Sequence, residues 1–384
     1  MRKTYDFAVI GAGVFGAWTA HWLRRGNSSV ALIDAYGPAN SRASSSGETR
    51  VLRMGYGPDA LYTRWSARSL ALWLEFFARI GRDYFDPTGV LWLSNDDDSY
   101  TTRMFEVLRQ ANIVRVRLSA EDIRRSWPQL RFDDVTWGVL EPESGVLMAR
   151  RSVQALVHEM VNHGMDYLQS AVLPPQGRNT LSEVRTTAGE TFSAGTFIFA
   201  CGPWLPKLFP ELLADRIFPT RQEVFFLGVP AGNNDFRAPR MPVWLHHMHP
   251  DRPYAVPDIE GRGFKIAFDR HGPEFDPDNA ERTMGPASIE QLRYYLKQHI
   301  PDLENAPVVE SRVCQYENTW NGDFLLDRHP ELENVWIAGG GSGHGFKHGP
   351  AVGEYLTARI LHGAEAEPRF SLASKQTIRN REIY

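Results

Sequence analysis

Residues 5–16, with the sequence YDFAVIGAGVFG, decide the fold of this chain. An apolar strand pattern enters a Gly-x-Gly-x-x-Gly turn, and a segment with helical apolar spacing follows. In a βαβ nucleotide site, Gly11 permits the tight turn, Gly13 lets the backbone approach a pyrophosphate, and Gly16 lets the helix pack closely on the strand. The start of the helix then presents free N–H groups to the phosphates.

A second apolar run, Val30–Ile33, ends at Asp34, where a carboxylate can accept hydrogen bonds from an adenosine ribose. The alternative is a glycine turn with a purely structural role. Strand, glycines, helix, strand and acid occur in the register that a dinucleotide site requires. We therefore predict a nucleotide-binding βαβ unit.

Length and composition limit the classes of function. A chain of 384 residues predicts two domains or one domain with a large insertion. A formal charge of −4 argues against nucleic acid or an anionic membrane as the main partner. Two cysteines, Cys201 and Cys314, provide no disulfide framework. No apolar run reaches the length of a transmembrane helix, and the N-terminus leads directly into the first strand pattern. These features predict a cytoplasmic protein.

The pattern changes along the chain in a way that predicts an inserted domain. From about Pro219, short strand patterns alternate with loops rich in Pro, Gly and Asp, which is typical of an antiparallel sheet. We predict an α/β (α+β) fold with a Rossmann-like nucleotide domain and an inserted antiparallel-sheet substrate domain. The nucleotide domain is assigned to residues 1–85, 151–215 and 325–384, and the substrate domain to residues 86–150 and 216–324.

A glycine-dense loop, residues 339–347 with the sequence GGGSGHGFK, follows the buried strand pattern Val335–Ala338. A flexible surface loop is the simpler interpretation. A glycine loop between a buried strand and a helix is, however, where α/β folds bind ligands. We therefore expect this loop, with Lys347 projecting from it, to approach a flat ligand.

Five motifs together resemble the monomeric sarcosine oxidase group of the D-amino-acid-oxidase-like FAD amine oxidases. They are the Gly11–Gly16 turn with Asp34, GETRVLR at 47–53, CGPW at 201–204, CQY at 314–316 and GHGFK at 343–347. The resemblance covers nearly the whole chain. It implies FAD as the cofactor and oxidation of a secondary or tertiary amino acid to an imine. The FAD contacts that it implies are Gly11, Gly13, Val14, Phe15, Gly16, Asp34, Ser45, Thr49, Arg50, Val172, Cys201, Gly202, Trp204, Cys314, Gly341, Gly343, His344, Gly345, Phe346 and Lys347.

The resemblance also assigns chemical roles to four positions. It implies that Cys314 holds the flavin 8α-methyl group as a thioether, and that Lys265 promotes the reaction with oxygen. Arg53 and Lys347 match the pair that binds the substrate carboxylate, for which two cations are suited. The plainer interpretations are a small buried apolar cysteine, a solvated edge-strand lysine and two solvated surface charges.

Tyr254 falls on a family tyrosine beside the substrate; its plainer interpretation is half-buried packing.

Two departures from the family pattern bear on the substrate and the flavin. Asp269 stands where the family has a histidine, and a carboxylate there favours a cationic amine or a polar substrate tail over sarcosine. Ser45 and Ser46 replace the family's histidine pair beside the flavin, which leaves covalent attachment open.

The run His246-His247-Met248-His249 invites a metal interpretation, but no carboxylate or cysteine stands at a recognisable ligand spacing. We expect a surface loop and no metal.

The predicted activity is oxidation of a secondary (N-alkyl or cyclic) amino acid to an imine by a monomeric enzyme, with reduction of O2 to H2O2. Two alternatives stay open. One is a flavin amino-acid dehydrogenase that passes electrons to a protein or quinone, against which Lys265 argues. The other is a non-catalytic nucleotide-binding module, in which Arg53, Lys265 and Lys347 would have no role.

Overall fold

The computed structural model describes residues 4–377, whose strands and helices are numbered here in chain order. The strands are β1 (Thr4–Ile10), β2 (Val30–Asp34), β3 (Arg50–Leu52), β4 (Phe85–Asp86), β5 (Val90–Ser94), β6 (Val116–Ser119), β7 (Trp137–Glu141), β8 (Gly145–Leu147), β9 (Asp166–Gln169), β10 (Glu183–Arg185), β11 (Thr191–Phe199), β12 (Phe218–Leu227), β13 (Val243–Leu245), β14 (Pro253–Val256), β15 (Phe264–Phe268), β16 (Val308–Asn318), β17 (Leu325–Arg328) and β18 (Val335–Gly339). The α-helices are α1 (Val14–Arg24), α2 (Ala60–Ile80), α3 (Ser99–Gln110), α4 (Ala120–Ser126), α5 (Ala149–Asn162), α6 (Leu205–Leu208), α7 (Pro210–Leu213), α8 (Pro286–His299) and α9 (Gly349–His362).

The first sheet has the strand order β17-β18-β11-β1-β2-β9, and β10 pairs with β11 as an antiparallel hairpin. The strands from β18 to β9 are parallel to one another, and β17 is antiparallel at the edge. Parallel strands place their carboxyl ends at one edge of the sheet. The Gly11 turn, Asp34, Ala200 and the glycine loop therefore lie on the same edge, as a Rossmann-like unit requires.

Helix α1 follows the glycine turn and packs on α9, the helix that follows the glycine loop. Gly353 of α9 lies against the backbone of Trp18, and a Cβ there would come within 2.6 Å of the Trp18 carbonyl. A Cβ at Gly349 of α9 would likewise come within 2.5 Å of the Val14 side chain, so glycines permit the close helix pair that holds the two ligand-facing loops together.

The second sheet has the order β16-β12-β15-β14-β13-β5-β7-β6. Its strand pairs are antiparallel, as predicted, except that β13 runs parallel to β5. This exception arises because β5 belongs to an earlier segment of the chain and joins the sheet beside β13. One face of the sheet packs under α8 and α4 in a core that includes Leu292, Leu296 and Ile123.

A third sheet, β3-β8-β4, joins segments that the sequence assigned to different domains. The strands of the first sheet fall within the residues predicted for the nucleotide domain, and those of the second within the residues predicted for the substrate domain. The domain boundaries themselves stay a prediction. Within residues 4–377, no helix is both long and apolar enough to cross a membrane.

Candidate active site

A cavity of about 390 Å³ opens at the carboxyl edge of the first sheet. Its walls are the Gly11 turn, the end of β2, the turn after β11 and the glycine loop. Of the predicted cofactor contacts, the following line it: Gly11, Gly13, Val14, Phe15, Asp34, Ser45, Arg50, Val172, Cys201, Gly202, Trp204, Gly341, Gly343, Gly345 and Phe346. Its volume lies in the usual range for small-molecule sites.

The three turn glycines have the separate uses that the motif predicts. Gly11 has φ +106°, and a Cβ there would collide with the carbonyl of Ala200. A Cβ at Gly16 would collide with the carbonyl of Gly11, so Gly16 serves packing and does not line the cavity. A Cβ at Gly13 would meet only Ser45 Oγ, at 3.4 Å, so the backbone there is open to the cavity.

Asp34 lies at the cavity wall, but its carboxylate also binds the surrounding backbone. Oδ2 accepts the Ala12 N–H at 2.7 Å, and Oδ1 accepts the N–H groups of Tyr36 and Gly37 at 2.9 and 2.8 Å. Burial raises the pKa of Asp34 despite these hydrogen bonds. Asp34 therefore holds the glycine turn in shape in addition to facing the site.

Sequence reasoning missed a polar cluster at the mouth of this cavity. The Arg42 guanidinium lies 4.4 Å from the ring centre of Tyr36 and 5.9 Å from that of Trp204. Trp204 Nε1 donates to Asp278 Oδ1 at 2.8 Å, and Lys207 pairs with the same carboxylate. Asp278 arrives from the loop after β15, far away in sequence, so no local pattern indicated it.

Glu317 is a second missed residue of the larger cavity. Its Oε1 accepts the Gly341 N–H at 3.2 Å, whereas Oε2 is buried without a hydrogen-bond partner. Burial raises the pKa of Glu317 to about 7. The alternation of strand β16 could have indicated it, because Gln315 and Glu317 face this cavity, on the side opposite to Cys314.

A second cavity, of about 90 Å³, adjoins the first. The two share the side chains or backbone of Arg50, Tyr316, Ser342, Gly343 and Phe346. The smaller cavity is lined by all five predicted catalytic residues and by Cys314. Those five are Arg53, Tyr254, Lys265, Asp269 and Lys347. Residues that are far apart in sequence therefore converge on one small volume.

Arg53 is buried at this cavity against aromatic faces. Its Cζ lies 4.2 Å from the ring centre of Tyr56 and 4.9 Å from that of Trp92, and Nη1 donates to the carbonyl of Gly55. The fully buried Glu141 holds the same segment, accepting the Gly55 N–H at 3.1 Å and Trp92 Nε1–H at 2.7 Å. The guanidinium is thus held rigidly, in contrast to the solvated-surface interpretation.

Lys347 is also buried, in the short turn before α9. Its Nζ donates to the Tyr56 hydroxyl at 2.6 Å and to the His344 carbonyl at 3.1 Å. The same hydroxyl lies 2.8 Å from His348 Nε2 and 3.2 Å from His344 Nδ1. Burial, and secondarily the charge of Arg53, hold the pKa of Lys347 well below its usual value.

Lys265 projects from the cavity face of β15 and is only 3% exposed, so it is not a solvated edge-strand lysine. Its Nζ donates to the Thr49 carbonyl at 3.0 Å and lies 3.4 Å from Thr49 Oγ1. Burial, reinforced by the charge of Arg50, lowers the pKa of Lys265 to about 7. Thr49 therefore contacts a catalytic candidate and does not line the larger cavity.

Asp269 follows β15 on the same face as Lys265, in keeping with the period of a strand. The Tyr316 hydroxyl donates to Asp269 Oδ1 at 2.8 Å. Tyr254, on the neighbouring strand β14, lies with its ring centre 5.7 Å from Lys265 Nζ. The Asp269 carboxylate therefore lies in the same small cavity as two lysines and two arginines.

The two cysteines have different surroundings. Cys314 is half-buried and lines the smaller cavity, with Sγ 3.6 Å from Nη2 of Arg50, which lines both cavities. Cys201 Sγ lies 3.3 Å from the Ile10 carbonyl, and burial raises the pKa of that thiol. Of the two cysteines, only Cys314 lies within hydrogen-bonding distance of a guanidinium.

The histidine run is not the surface loop that the sequence led us to expect. His246 is fully buried and lies 2.8 Å from Asp134, while His247 pairs with Asp98 at 2.9 Å. Asp134 and Asp98 come from other parts of the chain and fix the histidine run against the rest of the protein. No group of His, Cys, Asp or Glu side chains within residues 4–377 has the arrangement of a metal site.

Comparisons with known proteins agree with this geometry. The family model described as FAD dependent oxidoreductase (DAO) matches residues 6–359. The chain is 29% identical to monomeric sarcosine oxidase of Bacillus sp. (strain B-0618), with 94% of each chain covered. It is 29% identical to peroxisomal sarcosine oxidase of Homo sapiens, with 92% of each covered. It is 26% identical to N-methyl-L-tryptophan oxidase of Yersinia pestis (strain Pestoides F), with 91% and 93% covered.

Solved structures show the same fold. L-proline dehydrogenase from P. horikoshii superimposes with a TM-score of 0.83 at 22% identity, covering 97% of this chain and 98% of that one. NikD, described as an unusual amino acid oxidase essential for nikkomycin biosynthesis, has a TM-score of 0.78 at 20% identity, with 96% and 97% covered.

Proposed function

Because this chain belongs to the DAO family of FAD-dependent oxidoreductases, we propose that it oxidises a secondary amino acid, N-alkyl or cyclic, to an imine and reduces O2 to H2O2. The observation that carries the proposal is the small cavity beside the nucleotide site. Arg53, Lys265, Asp269 and Lys347 all line it. Relatives of nearly equal length are named sarcosine oxidase and N-methyl-L-tryptophan oxidase, which supports an N-alkyl amino acid as the substrate.

The residues of the larger cavity fit FAD. The open backbone at Gly13 and the start of α1 would hold the pyrophosphate, and Asp34 and Val172 would hold the adenosine. Arg50, Cys314 and the 339–347 loop would hold the flavin. FAD, when bound, accepts the hydride that the amino acid loses and passes the two electrons to oxygen.

Arg53 and Lys347 bind the substrate carboxylate and thereby orient the amino acid. Both are buried, so a carboxylate that enters the cavity loses little of the interaction to water. The aromatic rings around Arg53 prevent the guanidinium from turning away. The nitrogen lone pair of a neutral amine drives the loss of hydride from carbon, so no strong base is needed at that carbon.

Asp269 sets the substrate class. Its carboxylate, held by Tyr316, gives the cavity a hydrogen-bond acceptor opposite the cations. A cyclic imino acid or a polar N-substituent would use this acceptor, whereas the methyl group of sarcosine would not. We therefore assign the enzyme to secondary amino acids larger or more polar than sarcosine.

Further parts of the proposal have narrower support. The half-buried Cys314 beside Arg50 supports a thioether to the flavin. The name of the Bacillus relative supports a monomer. The domain division at residues 86–150 and 216–324, and a cytoplasmic location based on the low cysteine content, complete the proposal.

Electron-acceptor specificity tests the oxidase assignment. Purified enzyme turning over a secondary amino acid in air should form one H2O2 for each imine, and artificial quinone or dye acceptors should add little to the rate. Imine formation that depends on such an acceptor, without peroxide, would instead support the dehydrogenase alternative.

A further inference from the structure

Lys347 is a buried lysine whose hydrogen-bond partners carry no negative charge. Its Nζ is bonded to the Tyr56 hydroxyl and to the His344 carbonyl. Within residues 4–377 it forms no ion pair with a carboxylate, and its side chain is only 4% exposed. A buried ammonium without an anionic partner is costly, and such a lysine minimises that cost by losing its proton.

The positive charge of Arg53 also lowers the pKa of Lys347. The guanidinium of Arg53 lies over the same Tyr56 ring as Lys347 Nζ, at 4.2 and 5.0 Å from its centre. Burial lowers the pKa of Lys347 most, and the charge of Arg53 lowers it next. The negative charges of Asp269 and Glu141 raise it, but less than burial and Arg53 lower it. The titratable and charged groups that face this lysine from all sides are Arg53, Tyr56, Glu141, Lys265, Asp269, His344 and His348.

The proposed reaction creates a need for a proton acceptor at this position. An amino acid in water is a zwitterion, and its ammonium group has no lone pair to drive hydride loss. The amine must therefore lose a proton in the cavity. The nitrogen is attached to the carbon next to the carboxyl group, so a carboxylate held by Arg53 and Lys347 brings the ammonium close to Nζ.

We infer that Lys347 is neutral in the free enzyme and takes the ammonium proton of the incoming amino acid, becoming the cation that pairs with the substrate carboxylate. This inference rests on the proposed function and adds a catalytic role to a residue assigned so far to binding. One proton moves from the substrate nitrogen to Nζ, and no proton is exchanged with water. The substrate becomes an anion with a neutral amine, and the lysine becomes its counter-ion.

The charges balance through the later steps. Loss of hydride from the adjacent carbon turns the amine lone pair into the C=N bond and leaves a neutral iminium carboxylate. When this product departs, Lys347 loses its anionic partner and releases the proton to water. Tyr56 positions the lysine throughout, because its hydroxyl accepts from Nζ and its ring supports Arg53.

Proton uptake on binding of a carboxylate without an amine tests the inference. The probe is 2-furoate, titrated calorimetrically into the holoenzyme at about pH 8 in buffers of different ionisation enthalpy; free lysine is protonated at this pH. Because the probe brings no ammonium proton, the wild type should take up about one proton per bound 2-furoate from the buffer. Lys347→Arg, which keeps a permanent charge, should bind 2-furoate without proton uptake.

Lys265→Met is the matched control, since it removes the other buried lysine of the cavity and should leave the uptake unchanged. Binding to the wild type without proton uptake overturns the inference and leaves the proposed function standing. Uptake that persists in Lys347→Arg and disappears in Lys265→Met also overturns it and assigns the proton to Lys265. No binding of 2-furoate to the wild type overturns the carboxylate site, and with it both proposals.

A second readout separates a proton acceptor from a mere binding charge. In Lys347→Arg the substrate must lose its proton to water, so the acid limb of the kcat/KM profile should move to higher pH. An unshifted profile in a variant that still binds 2-furoate contradicts the role of Lys347 as acceptor.

Discussion

Arg53, Lys265 and Lys347 surround one small cavity, and within residues 4–377 none of them forms an ion pair with a carboxylate. Most buried arginines and lysines are paired, because an isolated buried charge costs several kcal/mol. Buried basic side chains without a carboxylate partner indicate that a ligand completes the site. In the proposed function, the carboxylate of the substrate is that ligand.

We expect Lys265 to make the proposed reaction with oxygen dependent on pH. Its pKa is lowered to about 7, so the cation is present below that pH and is lost as the pH rises through it. A positive charge stabilises the negative charge that develops on oxygen, and loss of one such group costs about 10²- to 10³-fold in rate. Reoxidation measured by stopped flow should therefore slow as the pH rises above about 7.

Two variants of Lys265 separate the charge from the packing. Lys265→Met should slow reoxidation below about pH 7, where the wild type carries the charge, and leave flavin reduction by substrate much less affected. Lys265→Arg keeps its charge and should abolish the fall above about pH 7. An oxidative half-reaction that Lys265→Met leaves unchanged would make this lysine structural.

Asp269 distinguishes the expected substrates. The change Asp269→His replaces the anion with the larger histidine that the family resemblance implies at this position, and should lower kcat/KM for pipecolate, proline and iminodiacetate relative to sarcosine. Loss of a charge-assisted hydrogen bond costs about 1.5–3 kcal/mol, which corresponds to roughly 10- to 150-fold. If sarcosine is the best wild-type substrate and the variant behaves identically, the proposed substrate class is wrong.

Cys314 decides whether the flavin is covalently held. After acid or denaturant precipitation, the yellow colour should remain with wild-type polypeptide and be lost from Cys314→Ala. The reason is the position of Sγ beside the guanidinium of Arg50, which lines both cavities. Cys201→Ala is the matched control and should retain the colour. Complete release of flavin from denatured wild type would refute the thioether.

At the scale of the elements, local sequence patterns predicted individual strands and helices better than they predicted the contacts between distant segments. The glycine turn predicted β1, α1 and β2, because each glycine there meets a local steric requirement. The burial of His246 and the contact between Asp278 and Trp204 depend on segments that lie far apart in sequence. No periodicity within one segment contains that information. The convergence of Arg53, Lys265 and Lys347 also joins distant segments of the chain. It was therefore predicted from the resemblance to a family and not from a local pattern.

For the long helix α2, the apolar spacing of the sequence predicts a core stripe of Leu61, Trp65, Leu72, Phe76 and Ile80. Leu72 and Phe76 are buried, but Leu61, Trp65 and Ile80 are only half-buried. Tyr62 and Trp73, outside the predicted stripe, are fully buried. The buried face instead supplies polar atoms, such as Trp73 Nε1, which donates to the Lys347 carbonyl at 3.1 Å.

The α1–α9 contact gives a prediction about stability. Alanine usually favours a helix over glycine by about 1 kcal/mol, but at Gly353 its Cβ would lie 2.6 Å from backbone atoms of Trp18. Gly353→Ala should therefore lower the free energy of unfolding by about 1–3 kcal/mol, the usual cost of overpacking. Thermal or urea unfolding measures the change. The control is Gly285→Ala, where nothing lies within 4 Å of the added Cβ; a loss as large in the control would contradict the steric explanation.

At the scale of the whole molecule, each of the two large sheets contributes residues mainly to one of two adjoining cavities. The first sheet directs its carboxyl edge at the larger cavity, while β14, β15 and β16 of the second sheet carry Tyr254, Lys265 and Cys314 to the smaller one. The two cavities share a wall that includes Arg50 and Phe346. A nucleotide cofactor in one can thus reach an amino acid in the other.

Anaerobic reduction of the bound flavin tests the central claim most directly. Secondary amino acids, added without oxygen, should bleach the flavin absorbance, and admission of air should restore it with one H2O2 for each imine formed. Arg53→Met, which removes one carboxylate contact, should require a higher amino acid concentration for the same bleaching. A flavin that no secondary amino acid reduces, under conditions where dithionite reduces it fully, would contradict the assignment as an amino acid oxidase.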